Sequence, residues 1–201
     1  MIISAISNKT TNFLLKRGYI DKESKSIYQY GFEIIISTLF GFLSVIILSL
    51  LFSTFIEGLI FLFCLVTLRR YTGGYHASSY FKCNLTLMSS YIVCLFLYKL
   101  VYDNEVIYCS LMAILFFPLL IIIYKYSPIE NINKCINLKE KNEYKLRSII
   151  LFLIYYVFSG VLVKFHIKIG IFVFVVINLV NITIIIEIIK RRIINYEKKR
   201  K

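Results

Sequence analysis

The chain has 201 residues, 59% of them hydrophobic, with a net charge of +13 and a mean hydropathy of +0.76. Its apolar residues come in long runs, which excludes a soluble globular domain and points to one all-α integral membrane domain over residues 1–201. The basic residues lie between those runs with no basic, aromatic-interleaved soluble module, so nucleic acid is not expected as a partner.

The first 30 residues form a polar cytoplasmic segment, with no short apolar core and cleavage site of the kind a signal peptide needs. Within it, Ile2, Ile3, Ile6, Phe13 and Leu14 oppose Asn8, Lys9, Lys16 and Arg17 over residues 2–17. That spacing suits an amphipathic helix, either lying on the inner leaflet or packed on the cytoplasmic side.

Six membrane spans are expected, at about 34–52, 55–70, 84–102, 106–124, 148–164 and 169–189, each near the length that crosses a bilayer, with the second and fifth at the short end. Short outer turns near Ser53–Glu57, in VYDNEV and in KFHIK join them in pairs. The stretch 125–147 reads as the sizeable cytoplasmic loop, and 190–201 as a basic cytoplasmic tail. With six crossings, 21 of the 24 basic residues fall on one side, leaving Lys99, Lys164 and Lys168 opposite. The positive-inside rule puts that side, and both termini, in the cytoplasm. The same charge attracts anionic membrane lipid.

Residues 69–83 read RRYTGGYHASSYFKC and carry the chemistry. A thiol attacks as its thiolate, so a cysteine nucleophile needs a base nearby. His76, one of two histidines, stands seven residues before Cys83. On one straight helix that spacing leaves roughly 10.5 Å between them along the axis, too far for the ~3 Å approach of proton transfer. If the two act together, the stretch 71–83 is not one straight helix. A break around Ala77–Tyr80 is expected to fold His76 back over Cys83, with Cys83 near the start of the third span. A helix start, together with Arg69, Arg70 and Lys82, favours a thiolate there. Gly73 and Gly74 either turn the chain sharply after the second span or let a peptide backbone approach.

The five cysteines form no CxxC pair, so neither a disulfide framework nor a metal site is expected, and no organic cofactor is implied. Cys64, Cys94 and Cys109 read as small apolar packing residues.

Arg70, Gly74, His76, Ala77 and Cys83 together resemble the signature of the accessory gene regulator B family, membrane endopeptidases that process quorum-sensing peptide precursors. Glu33, in YGFEI, is similar to the family's Tyr-Gly-x-Glu. Pro128, Asn133 and Lys134 resemble its Ala-Pro…Asn-Lys-Pro stretch, with Ser127 and Cys135 departing from it.

The resemblance implies a thiol protease in which His76 takes the proton of Cys83. Cys83 then cuts the C-terminal tail from a small precursor peptide with an amphipathic leader. An acyl-thioester results, and a precursor cysteine resolves it to a thiolactone. It also implies a homodimer. Arg70 stabilises an oxyanion or grips a substrate carboxylate. Glu33 orients His76 or is an interface carboxylate. Lys134, Lys139 and Lys141 bind an acidic substrate segment or only set topology. His166, on the outer side, reads as an interface residue. Two other classes stay open. A small transporter would use mid-membrane Ser159, Asn178 and Asn181 and a kink at Pro118, and a non-enzymatic adaptor would dock partners on the basic loop and tail.

Overall fold

The computed structural model describes residues 2–75, 77, 79–129 and 137–200. These form seven helices: α1 (Ile2–Lys16), α2 (Lys25–Leu51), α3 (Phe55–Thr72), α4 (Tyr80–Val101), α5 (Glu105–Tyr126), α6 (Leu138–Lys164) and α7 (Ile169–Arg200). No strand occurs among the described residues. Five helices, all but α1 and α3, contain a stretch long and apolar enough to cross a membrane. The protein is a multi-pass membrane protein of all-α class.

The sixth expected span is α3. It reaches only 18 residues and carries Glu57, Arg69 and Arg70, more charge than a lipid-facing crossing of that length tolerates. It packs instead against α2, α6 and α7. The hairpin joining α2 to α3 is also set low. The Tyr91 hydroxyl donates to the Thr54 carbonyl at 3.0 Å, and Tyr91 lies ten residues before the end of α4. Helical side chains lean toward the N-terminus, so this hairpin stops roughly 15 Å or more short of α4's far end.

α7 is the central element and touches α3, α4, α5 and α6. Residues 171–177 are buried without interruption, which explains why its sequence is apolar all round rather than on one stripe. Between helices, where lipid removes most of the hydrophobic drive to associate, polar side chains clasp one another. Tyr108 and Ser159 share a hydrogen bond of 2.7 Å, and the Ser159 hydroxyl donates to the Gly170 carbonyl at 2.7 Å. Thr67 and Tyr155 hydroxyls lie 2.8 Å apart.

The bundle has two distinct ends. At one, Lys168 pairs with Asp103 at 3.2 Å and His166 with Glu105 at 3.4 Å, tying the α4–α5 turn to the α6–α7 turn. His166 thus makes an exposed contact, far along the chain from the 69–83 stretch. The other end gathers the C-terminus of α3, the starts of α4 and α6, the end of α5 and the second half of α7. There α2 runs past the first residue of α4, because Gly41 of α2 lies level with Asn84 of α4. α1 packs along this overhang, with the Ser7 hydroxyl donating to the Gln29 carbonyl at 3.0 Å. The N-terminal helix is therefore packed on α2, and Phe13 and Ile6 stay exposed.

Two regions read as loop or tail are helical. α6 starts at Leu138, ten residues before the expected span, and the Asn137 amide donates to the Glu140 carboxylate at 3.4 Å. α7 continues through the basic tail to Arg200.

Candidate functional site

The chain between α3 and α4 builds the site. Gly73 closes α3, its amide donating to the Arg69 carbonyl at 3.0 Å, and takes φ of 72°. Gly74 follows at φ of 145°. Both values lie where side chains are strained. A Cβ on Gly73 would stand 2.5 Å from the Ile129 carbonyl oxygen, and one on Gly74 would stand 3.0 Å from the Thr183 hydroxyl of α7. The pair turns the chain sharply after α3 and lets it pass close to two other elements. α4 begins at Tyr80, with Ser79 as its cap accepting from the Lys82 amide at 3.3 Å. The stretch 71–83 is broken between the end of α3 and the start of α4.

Cys83 lies in the first turn of α4, its amide donating to the Ser79 carbonyl at 3.0 Å. Its side chain is half-buried, whereas Cys64 and Cys94 are buried in the core. Cys109 is exposed, on α5. Cys83 is thus the described cysteine that is both reachable and at a helix N-terminus. His76 and Lys134 lie outside the described residues, as do Asn133 and Cys135.

The two adjacent arginines diverge. Arg70 is exposed, its guanidinium 5.7 Å from the centroid of the Tyr71 ring. Arg69 turns inward, donates to the Tyr75 carbonyl and lies within electrostatic reach of both the Cys83 sulfur and the Glu187 carboxylate. Glu187 of α7 is 5% exposed. Its carboxylate takes the Arg191 Nε–H at 3.0 Å and lies 3.8 Å from Lys190 Nζ. Lys190 in turn sits 5.0 Å above the Tyr75 ring.

Glu33 accepts a hydrogen bond from the Tyr80 hydroxyl at 3.1 Å, so it braces α2 to the start of α4 three residues before Cys83. Beside this brace lies an apolar cleft of about 510 Å³, lined by Ile3 and Ile6 of α1, Ile36 and Phe40 of α2, and Phe81 and Leu85 of α4. The Ser127–Ile129 segment packs on Gly73: the Ile129 amide donates to the Thr72 carbonyl at 2.9 Å, and the Ser127 hydroxyl donates to Ser148 at 2.9 Å. The two stretches that carry the resemblance, YTGG and YSPI, therefore meet. Lys139 is exposed on α6. Lys141 lines a shallow cleft of about 350 Å³ with Pro128, Arg191 and Arg192.

Sequence reasoning passed over Glu187 and gave Arg69 only a background role. The available signal for Glu187 was that it is the sole charged residue between Gly170 and Lys190, and an ionisable group in a membrane helix is a functional candidate by default.

The family model for accessory gene regulator B matches residues 7–190. A putative AgrB-like protein of Clostridium perfringens strain SM101 is 33% identical over 148 residues, covering 71% of this chain and 68% of that protein. Putative AgrB-like protein 2 of C. perfringens strain 13 is 33% identical over 147 residues, with 71% and 68% covered. Protein FsrB of Enterococcus faecalis is 34% identical over 101 residues, half of this chain and 40% of that protein. No solved structure matches the chain.

Proposed function

The chain belongs to the accessory gene regulator B family, and on that premise we propose that it is a membrane cysteine endopeptidase that processes a quorum-sensing peptide precursor at the cytoplasmic face. The observation that carries the reading is Cys83. It is half-buried in the first turn of α4, within electrostatic reach of the Arg69 guanidinium and just after a strained glycine turn.

In this reading His76 accepts the proton of the Cys83 thiol, and the sulfur attacks the scissile carbonyl carbon. The carbonyl electrons move to oxygen, where Arg69 is the nearby cation for the developing charge. The oxyanion collapses, the C–N bond breaks, and His76 returns its proton to the departing amine of the C-terminal tail. An acyl-thioester on Cys83 remains. A thiol of the precursor then attacks that carbonyl, Cys83 leaves, and a thiolactone forms. Scarce water at a membrane site favours this transfer over hydrolysis. The amphipathic leader of the precursor holds it at the leaflet, so encounter becomes a search at high effective concentration.

A transporter reading needs polar side chains facing one another at mid-membrane. The Asn178 and Asn181 amides instead donate to the carbonyls one turn back on their own helix, Phe174 at 2.8 Å and Ile177 at 3.1 Å. Ser159 is engaged between α5 and α7. This favours the endopeptidase.

The test is cleavage of the co-expressed precursor by Cys83→Ser and Cys83→Ala, with membrane levels matched to wild type. Both variants are expected to leave the precursor intact. Cleavage persisting in both would remove Cys83 from the reaction and return the transporter or adaptor.

A further inference from the structure

Glu187 is a carboxylate where a membrane helix bundle rarely keeps one without purpose. It is buried, it projects from the central helix, and one of its oxygens, Oε2, accepts no hydrogen bond among the described residues. An ionised carboxylate in such surroundings is costly unless cations face it. Its own helix supplies Arg191 and Lys190. An exposed pair at that spacing needs no burial, so intrahelical pairing alone does not account for its inward position.

From α3, Arg69 comes within electrostatic reach of this carboxylate. The Arg69 side chain and Thr183, one helical turn before Glu187, approach the same point: a Cβ on Gly74 would stand 3.8 Å from Arg69 Nε and 3.0 Å from Thr183 Oγ1. From that point Arg69 donates to the carbonyl of Tyr75, while Lys190, on Glu187, covers the ring of the same residue. Tyr75 is thus held at its backbone by a cation from α3 and at its ring by a cation from α7, and Glu187 pairs with the second and lies within electrostatic reach of the first. The next residue along the chain is His76.

We propose that Glu187 is a positioning residue: it holds Arg69 and Lys190 on either side of Tyr75, and so fixes both the place of Arg69 at the Tyr75 carbonyl and the backbone that leads into His76. The proposal rests on the endopeptidase reading. It assigns Glu187 the third-group role in place of Glu33, which is engaged by Tyr80.

Precursor cleavage by the full-length protein in membranes, at a series of precursor concentrations, separates kcat from KM. The variants are Glu187→Gln, Glu187→Asp, Arg69→Lys and the double Arg69→Lys/Glu187→Gln, with Cys83→Ala as control. Glu187→Gln is expected to lower kcat about 10- to 100-fold, the cost of a misplaced reacting group, and to leave KM within about threefold. Glu187→Asp is expected to recover most of the loss. Because the two residues act as one unit, the double variant should be no slower than the worse single. Should Glu187→Gln fail to accumulate, Glu187→Asp combined with Arg69→Lys makes the same comparison. Near-normal kcat in Glu187→Gln, no recovery by Asp at matched membrane levels, or losses that multiply in the double variant would each overturn the positioning role while Cys83→Ala stays inert. Cleavage by Cys83→Ala would instead overturn the endopeptidase reading and this proposal with it.

Discussion

Gly73 and Gly74 take φ of 72° and 145° at the point where the chain leaves α3, and each faces a neighbour a methyl group would strike. The clash at Gly73 is with the Ile129 carbonyl, which is backbone and cannot swing away. At Gly74 the neighbour is the Thr183 hydroxyl, a side chain that can yield only by leaving its bond to the Val180 carbonyl. Strain of about 1–3 kcal/mol is expected for a side chain in such backbone regions, and it falls on the loop that leads to Cys83. Gly73→Ala and Gly74→Ala should therefore insert normally and cleave at least about 10-fold more slowly, as a small misplacement near reacting groups does. Gly160→Ala is the control: its added Cβ would meet only the Met112 side chain at 3.7 Å, an ordinary contact, and its cleavage rate should match wild type. The glycines, the break before α4 and Cys83 at a helix start were legible in the sequence, because each is a local consequence of spacing. Arg69 and Glu187 were not. The resemblance singled out Arg70, and only the packing of α3 on α7 turns Arg69 inward and leaves Arg70 exposed.

At the level of elements, hydropathy located every helix that is apolar along its length and blurred those that are not. The start of α6 is charged, so the apolar reading began at 148; Asn137 followed three residues later by Glu140 was the capping signal that placed it at Leu138. α3 was read as a crossing, though a short one, because its charges cluster at its ends, and its low hairpin depends on contacts with α4 that no local pattern encodes. The clasps between helices are equally non-local. Ser159 bridges α5 and α7 through the Tyr108 hydroxyl and the Gly170 carbonyl. Removing it strips the buried Tyr108 hydroxyl of this partner and the Gly170 carbonyl of its interhelical donor, whereas Tyr108→Phe leaves Ser159 still bonded to Gly170. Interhelical hydrogen bonds in membranes are worth about 0.6–1.7 kcal/mol. Ser159→Ala should thus destabilise the bundle by about 1–2 kcal/mol, and Tyr108→Phe by roughly half of that. Unfolding in mixed micelles checks the order. A larger cost for Tyr108→Phe would mean that the ring and its partner, and not the serine, carry this junction.

Across the whole molecule, charge and fold agree on two unlike ends. One end joins the α4–α5 and α6–α7 turns through Asp103–Lys168 and Glu105–His166. The other end carries Arg69, Lys82, Lys139, Lys141, Lys190 and Arg191 around the start of α4. On the proposed function, the positive-inside rule assigns the second end to the cytoplasm, where Cys83 would meet a substrate made in the cell. Cysteine labelling in intact cells tests this, in a background where Cys109, exposed on α5 close to the first end, is replaced by Ser. Asp103→Cys should react with a membrane-impermeant maleimide from outside, and Lys139→Cys should react only after permeabilisation. Ser53→Cys adds a measure of depth. The α2–α3 turn stands near Tyr91, well below the level of Asp103, so its thiol should label more slowly than that of Asp103→Cys even though both belong to turns on the same side. Equal rates would raise α3 to a full crossing. Labelling of Lys139→Cys from outside would invert the molecule, and would require its substrate to arrive from the opposite side of the membrane.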